Sequence, residues 1–216
     1  MSKSAVRSTS VFLALLALSG CRNDKWGDPA WYGRESTVAD IAAARTYMRS
    51  VALYGQLSTD AVFDVLPLSN QVRTTFASLY AQRRGKGAVW RDSVLRKELA
   101  RNKRCIAFYI VTLREVLFGE HCGEWCMTLS VDGRRYQPAS IRATRAIPVE
   151  YKHIFGRAYA PRFKVPYEVI FYAHDEEGKP LVRPDTNSMT LYIRSDTGKE
   201  ASVSWDIGPS GITFGG

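Results

Sequence analysis

Apolar positions recur along this chain with two different periods. Over 37–102 the spacing is mostly three to four residues and predicts helices. Thr37 with Asp40 three positions on forms a variant of the capping box, followed by Ile41, Ala44, Met48 and Val51, and Gly55 stops the run. A second, short helix is expected over 58–66, ended by Pro67. A third begins at Ser69, a good N-cap, and places Val72, Phe76, Leu79 and Tyr80 on one face. Gly85 and Gly87 break the chain before a fourth helix over 88–102, with Trp90, Val94, Leu95 and Leu99 as a packing stripe.

After Arg104 the period becomes two. The long β-branched and aromatic run 105–113 predicts a strand, and Met127, Leu129 and Val131 alternate up to an Asp132-Gly133 hairpin signal. Ile141 and Ala143 continue the alternation, 167–174 ends at the 175–178 turn, and Met189, Leu191 and Ile193 lead to the turn 196–198. Val203, Trp205 and Ile207 finish the set, with Gly208-Pro209-Ser210-Gly211 reading as a glycine-rich tail. The expected class is α+β: N-terminal helices packed on a C-terminal antiparallel β-sandwich of about seven strands, immunoglobulin-like or similar.

The first 21 residues follow another logic. Lys3 and Arg7 precede an apolar run at 11–18, then small Ser19 and Gly20, then Cys21. That run is far shorter than the roughly 20 residues a membrane-spanning helix needs, so it reads as an export signal. Leu18-Ser19-Gly20-Cys21 resembles the lipobox of bacterial lipoproteins at all four positions. The resemblance implies cleavage before Cys21 and acylation of its sulfur and new amino terminus. Each buried methylene contributes about 0.8 kcal/mol, so two or three acyl chains hold a protein durably where one does not. In such lipoproteins an aspartate after the cysteine commonly signals inner-membrane retention, and Arg22 stands there instead, which implies the outer membrane; the body is expected on its periplasmic side. The organisation expected is a signal peptide at 1–20, a lipidated tether at 21–35, a helical region at 36–103 and the sandwich at 104–216. Within the tether, Trp26, Trp31 and Tyr32 are suited to the headgroup level or to docking on the body.

An oxidising envelope changes the outlook for Cys105, Cys122 and Cys126, the three cysteines left beside Cys21. A Cys122–Cys126 disulfide with Cys105 reduced is the first choice, and Cys105 bonded to either of the others the second. His121, Cys122 and Cys126 also form a weaker candidate for a soft metal. No Gly-x-Ser-x-Gly elbow, phosphate-binding glycine loop or His-Glu-x-x-His stands in the sequence. His153, in an expected strand region, and His174, at a strand end, read as surface or satisfied histidines. Neither catalysis nor a cofactor is expected.

The formal charge is +9, from 30 basic and 21 acidic residues, and removal of Lys3 and Arg7 with the signal lowers it by two. Arg73, Arg83, Arg84, Lys86, Arg91, Arg96, Lys97, Arg101, Lys103 and Arg104 face only Asp92 and Glu98 within 71–104. Positions 134–164 are again basic, whereas 165–216 are acidic on balance. All of the first group except Arg73 are candidates for contact with an anionic partner, and the compartment disfavours nucleic acid. The function expected is a non-enzymatic envelope lipoprotein, membrane-held through covalent lipid, that binds an envelope protein or anionic polymer as an adaptor or assembly component. The alternatives are a thiol or metal protein using His121, Cys122 and Cys126, or an inhibitor or immunity-type lipoprotein.

Overall fold

The computed structural model describes residues 35–54, 59–112, 125–159 and 164–215. In chain order its elements are α1 (Glu35–Arg45), β1 (Arg49–Tyr54), β2 (Thr59–Pro67), α2 (Asn70–Arg83), α3 (Ala88–Asn102), β3 (Cys105–Thr112), β4 (Trp125–Val131), β5 (Arg134–Tyr136), β6 (Ser140–Ala143), α4 (Val149–Phe155), β7 (Val165–Tyr172), β8 (Ser188–Ser195) and β9 (Glu200–Asp206). A five-stranded sheet runs β1-β2-β3-β7-β6 and a four-stranded sheet β5-β4-β8-β9, every ladder antiparallel. The class is α+β, as the two periods predict.

The five-stranded sheet is the middle of three layers. One face carries Phe63, Val65, Ile106, Phe108, Ile110, Val169 and Phe171 against Met127, Leu129, Leu191, Ile193, Val203 and Trp205 of the other sheet. Phe108 touches both Phe171 and Trp205, with ring centroids 5.9 and 5.5 Å apart, and Phe63 meets Trp125 edge-on at 5.2 Å. The opposite face carries Leu66, Ala107, Tyr109 and Val111 against Ala44, Val72, Phe76, Tyr151, Ile154 and Phe155 of α1, α2 and α4. β3 is buried on both sides, which is why it reads as an unbroken apolar run.

Two expected helices are corrected. Of the helix expected over 58–66, the described residues 59–66 form a strand instead: β2 lies between β1 and β3, with Ala61, Phe63 and Val65 facing the inter-sheet core at strand spacing. The first helix ends at Arg45 and does not continue to Gly55, because Val51 and Leu53 alternate on β1. In both stretches a few apolar residues satisfy either period, and the vacant sites beside β3 decide for β. The β2–β3 ladder crosses position 104, so residues 36–103 supply two strands to the sheet as well as three helices. Thr37 is not an N-cap: it lies inside α1 and its Oγ1 donates to Gln82 Oε1 at 3.0 Å. His153 lies buried in α4, not in a strand, whereas His174 is exposed as expected.

Several local signals act as their chemistry dictates. Ser69 caps α2, its hydroxyl accepting from the Val72 amide at 3.3 Å. Asp132 and Gly133 have φ of 49° and 80°, the mirror-image turn that a two-residue hairpin requires. The tail is docked: Asn70 N donates to Thr213 O at 2.8 Å, and Asn70 Nδ2 to Gly215 O at 2.8 Å. At the joint between α1 and α4, the Arg45 guanidinium donates to Ile154 O at 2.9 Å and His153 O at 2.8 Å, satisfying carbonyls at the end of α4.

Gly156, at φ +60°, closes that joint, and a Cβ there would lie 2.7 Å from Arg45 Nη2. Gly85, at φ +62°, has open space where its Cβ would be. Gly85→Ala is therefore expected to cost only the backbone penalty, about 1–2 kcal/mol. Gly156→Ala should cost clearly more, because Arg45 must leave its carbonyls. Urea denaturation of the two variants checks the order, and equal losses would contradict the joint described.

Candidate anion-binding surface on the helical hairpin

α2 and α3 form a helical hairpin on the five-stranded sheet, and the two helices are held differently. α2 buries Val72, Phe76, Ala77 and Leu79. α3 buries only Asn102, and Val94, Leu95 and Leu99 are half-exposed, so the expected packing stripe is incomplete. Polar and aromatic contacts hold it instead. Arg73 is 0% exposed and donates through Nε to Leu68 O at 3.1 Å and to Asn102 Oδ1 at 2.6 Å, while Nη1 pairs with Glu98. Asn102 Nδ2 donates to Asn70 Oδ1 at 2.8 Å, extending the chain of bonds to the docked tail. Arg101 Nη2 pairs with Glu168 on β7 at 3.2 Å, and Trp90 stacks on Tyr80 with centroids 5.1 Å apart and planes 3° apart.

These contacts sort the cations. Arg73 does not belong to the surface charge at all, because burial on the inner face of α2 makes it a clamp for α3. Arg83 and Arg84 share the buried Glu150 carboxylate at 3.6 and 3.3 Å, and the Arg84 guanidinium lies 3.4 Å from the Tyr80 ring centre. Arg91 pairs with Asp92 at 2.9 Å. Burial opposes the charged form of Arg101, but Glu98 and Glu168 more than offset this and hold its pKa above the ordinary value. Lys86, Arg96, Lys97, Lys103 and Arg104 are exposed and have no acidic partner among the described residues. Arg96 and Lys103 are seven positions apart, as are Lys97 and Arg104, so each pair lies near one line along the helical segment.

Two clefts flank this surface. One, of about 550 Å³, opens between α1 and the hairpin tip and is lined by Thr37, Asp40, Gln82, Lys86, Gly87 and Arg91. The first turn of α3 has no acidic residue and no side-chain cap, so its amide dipoles add to the positive field there. The other, of about 320 Å³, lies at the far end of α3 between Lys103, His174 and Phe214. Exposed guanidinium and ammonium groups attract anions through a field that salt screens within about 8–10 Å at physiological strength.

Buried phenols lie beneath the hairpin. Burial, helped by Glu168, pushes Tyr109 up to about 12, and burial raises Tyr151 further. Tyr151 stacks on Phe76 at 4.5 Å and meets Tyr109 edge-on at 5.1 Å.

Cys21, His121 and Cys122 lie outside the described residues, and so does the Cys122 half of the expected disulfide. Cys105 is a thiol whose Sγ lies 3.3 Å from Arg101 O. A Cys105–Cys126 disulfide, part of the second expected pairing, is corrected by topology. Cys105 shares the face of β3 that meets the helices, whereas Cys126 alternates with the inward Met127 and Leu129 and so faces outward from the other sheet. Two stacked sheets about 10 Å apart separate them beyond the roughly 7 Å that a disulfide tolerates between Cα atoms. Among the described residues, no group of three or more His, Cys, Asp or Glu is placed to hold a metal ion.

Protein-family models, curated proteins and solved structures gave no match to this chain.

The sequence's charge count located the hairpin but not the Arg73 clamp, whose one local hint is the Glu98–Arg101 pair at helical spacing. Arg73→Ala should destabilise the protein by about 3–5 kcal/mol, the usual loss on removing one partner of a buried pair. Hydrogen exchange should show α3 losing protection before the sheets, and uniform loss across the molecule would contradict the clamp. Stability should also fall between pH 10 and 12. Below 10.0 folded and unfolded chains both keep the Tyr109 proton, while above it only the folded chain does, until about 12. Urea midpoints across this range should decline less steeply in Tyr109→Phe than in the parent.

Proposed function

We propose that this protein is a non-catalytic lipoprotein of the bacterial cell envelope, held by acyl chains on Cys21, that binds an anionic envelope component through the outer side of its helical hairpin. The observation that carries the binding site is the set Lys86, Arg96, Lys97, Lys103 and Arg104, exposed while the neighbouring Glu98, Glu150 and Glu168 are engaged by other arginines. The lipobox resemblance at Leu18-Ser19-Gly20-Cys21 carries the location. The tether fits the same picture, since the 14 residues from Cys21 to Arg34, counted in the sequence, span at most about 50 Å when extended. Arg22 in place of an aspartate supports an outer-membrane position, and the periplasmic side is the one proposed for the body. No helix among the described residues is long and apolar enough to cross a membrane, which is neutral for an acyl-anchored protein.

Purification from envelope membranes and mass analysis of the mature N-terminus should find Cys21 as an acylated first residue. Crosslinking in cells should capture an anionic component. With Arg96→Glu and Lys103→Glu together the capture should drop by about tenfold or more, on the order of 1 kcal/mol being at stake for each cation near an anionic surface. Capture unchanged by both charge reversal and salt would overturn the binding site, and an unmodified Cys21 would overturn the anchor.

A further inference from the structure

We propose that the anionic component is the headgroup layer of the anchoring bilayer itself, and that α3 lies along it as a second, electrostatic attachment. The proposal rests on the lipid anchor argued above.

Three features of the molecule lead there. First, α3 is carried on the outside of the body: of its 15 residues only Asn102 is buried. Second, its outward side is cationic over its C-terminal half, beyond Asp92, which is paired with Arg91. Val89, 84% exposed, stands seven residues before Arg96, and Lys103 seven after it, with Lys97 and Arg104 alongside. At 1.5 Å per residue the cations of this row, Arg96 to Arg104, extend over about 12 Å, and the helix is convex where an extended polymer or peptide would want a groove. Third, the tether joins the body beside this helix. Thr37 donates to Gln82 and lines one cleft with Gly87, Ala88 and Arg91, so the chain leading to Cys21 departs next to the start of α3.

The tether's 14 residues reach at most about 50 Å, about twice the length of α3. An acyl group fixed in the bilayer therefore keeps the row of cations close to the headgroups at high effective concentration. Weak contacts that fail to hold a free protein then suffice to orient a tethered one, the two-signal logic of a lipid chain with a polybasic surface. In that orientation the helical layer faces the membrane. The four-stranded sheet, with Thr128, Thr190 and Tyr192 on its outer side, faces away from it.

The test uses the mature lipidated protein on vesicles, with lysine acylation rates read residue by residue. Flotation on neutral phosphatidylcholine vesicles reports the acyl anchor alone. With about 30% phosphatidylglycerol added, Lys97 and Lys103 should label at least about threefold more slowly than on neutral vesicles, and high salt should abolish the difference. Lys199, in the turn between β8 and β9, should label equally on both. In the Arg96→Glu, Arg104→Glu variant, Lys97 and Lys103 should lose this protection while flotation on neutral vesicles persists. Equal labelling of Lys97 and Lys103 on both vesicle types would overturn the proposal. So would protection by a soluble acidic polysaccharide without any by phosphatidylglycerol, which would give the face to a polymer. Failure to float on neutral vesicles would overturn the anchor, and this proposal with it.

Discussion

β3 has apolar side chains on both faces, Ile106, Phe108 and Ile110 on one and Ala107, Tyr109 and Val111 on the other, and the chain must cover both. A hairpin or an open two-layer sheet would leave one of these faces in water, at a cost of about 25 cal/mol for each Å² of apolar surface. The four-stranded sheet covers the first face, and α1, α2 and α4 cover the second. β2 and β7 flank β3 and share its two-sided character, Phe63 and Val65 pointing one way and Leu66 the other. The order of elements along the chain is thus subordinate to the needs of one strand. Residues 49–54 and 59–67, written among helices, are drawn into the sheet because they pair along the edge of β3 that would otherwise stand open.

The helical layer is then an incomplete cover, and this shapes the charged surface. α2 has enough buried apolar residues to pack by itself, but α3 does not, and it is fastened by a buried guanidinium, an asparagine pair, an ion pair to β7 and one aromatic stack. Buried charges are costly unless hydrogen-bonded, so Arg73 is surrounded by acceptors from Leu68, Glu98 and Asn102. Recruiting Glu98 and Glu168 inward has a second effect. It takes Glu98 from the outer side of the hairpin and holds Glu168 of β7 against Arg101, and with Asp92 paired to Arg91 it leaves Arg96, Lys97, Lys103 and Arg104 without an acidic partner among the described residues. Fastening and charge display are one arrangement seen from two sides.

Local chemistry was legible wherever a few neighbouring residues suffice. Ser69 caps its helix, Asp132-Gly133 makes its turn, and Asp175 Oδ1 accepts from the amides of Glu177 and Lys179 at 3.0 and 2.8 Å, as an acidic-glycine turn should. The basic run at 83–104 was equally plain as a concentration of charge. What failed was period assignment over short segments. Met48, Val51 and Leu53 fit three-residue and two-residue spacing about as well, and no local term separates them. Arg73 could not be told from its neighbours either, since a single arginine on a helix says nothing of which face will be inside.

By itself, the sequence determined the α+β class, the turns, the α2 cap, the apolar centre of the sheet and the excess of cations in the hairpin, because each depends on residues adjacent in the chain or on summed composition. Only the tertiary structure decided that 49–54 and 59–67 are strands, that Cys105 and Cys126 point away from each other across two sheets, and that Arg73 is a buried clamp while Arg96 and Lys103 remain outside. Those outcomes depend on which distant segments compete for the same face of β3, and burial is a property of the assembled layers that no stretch of chain carries alone.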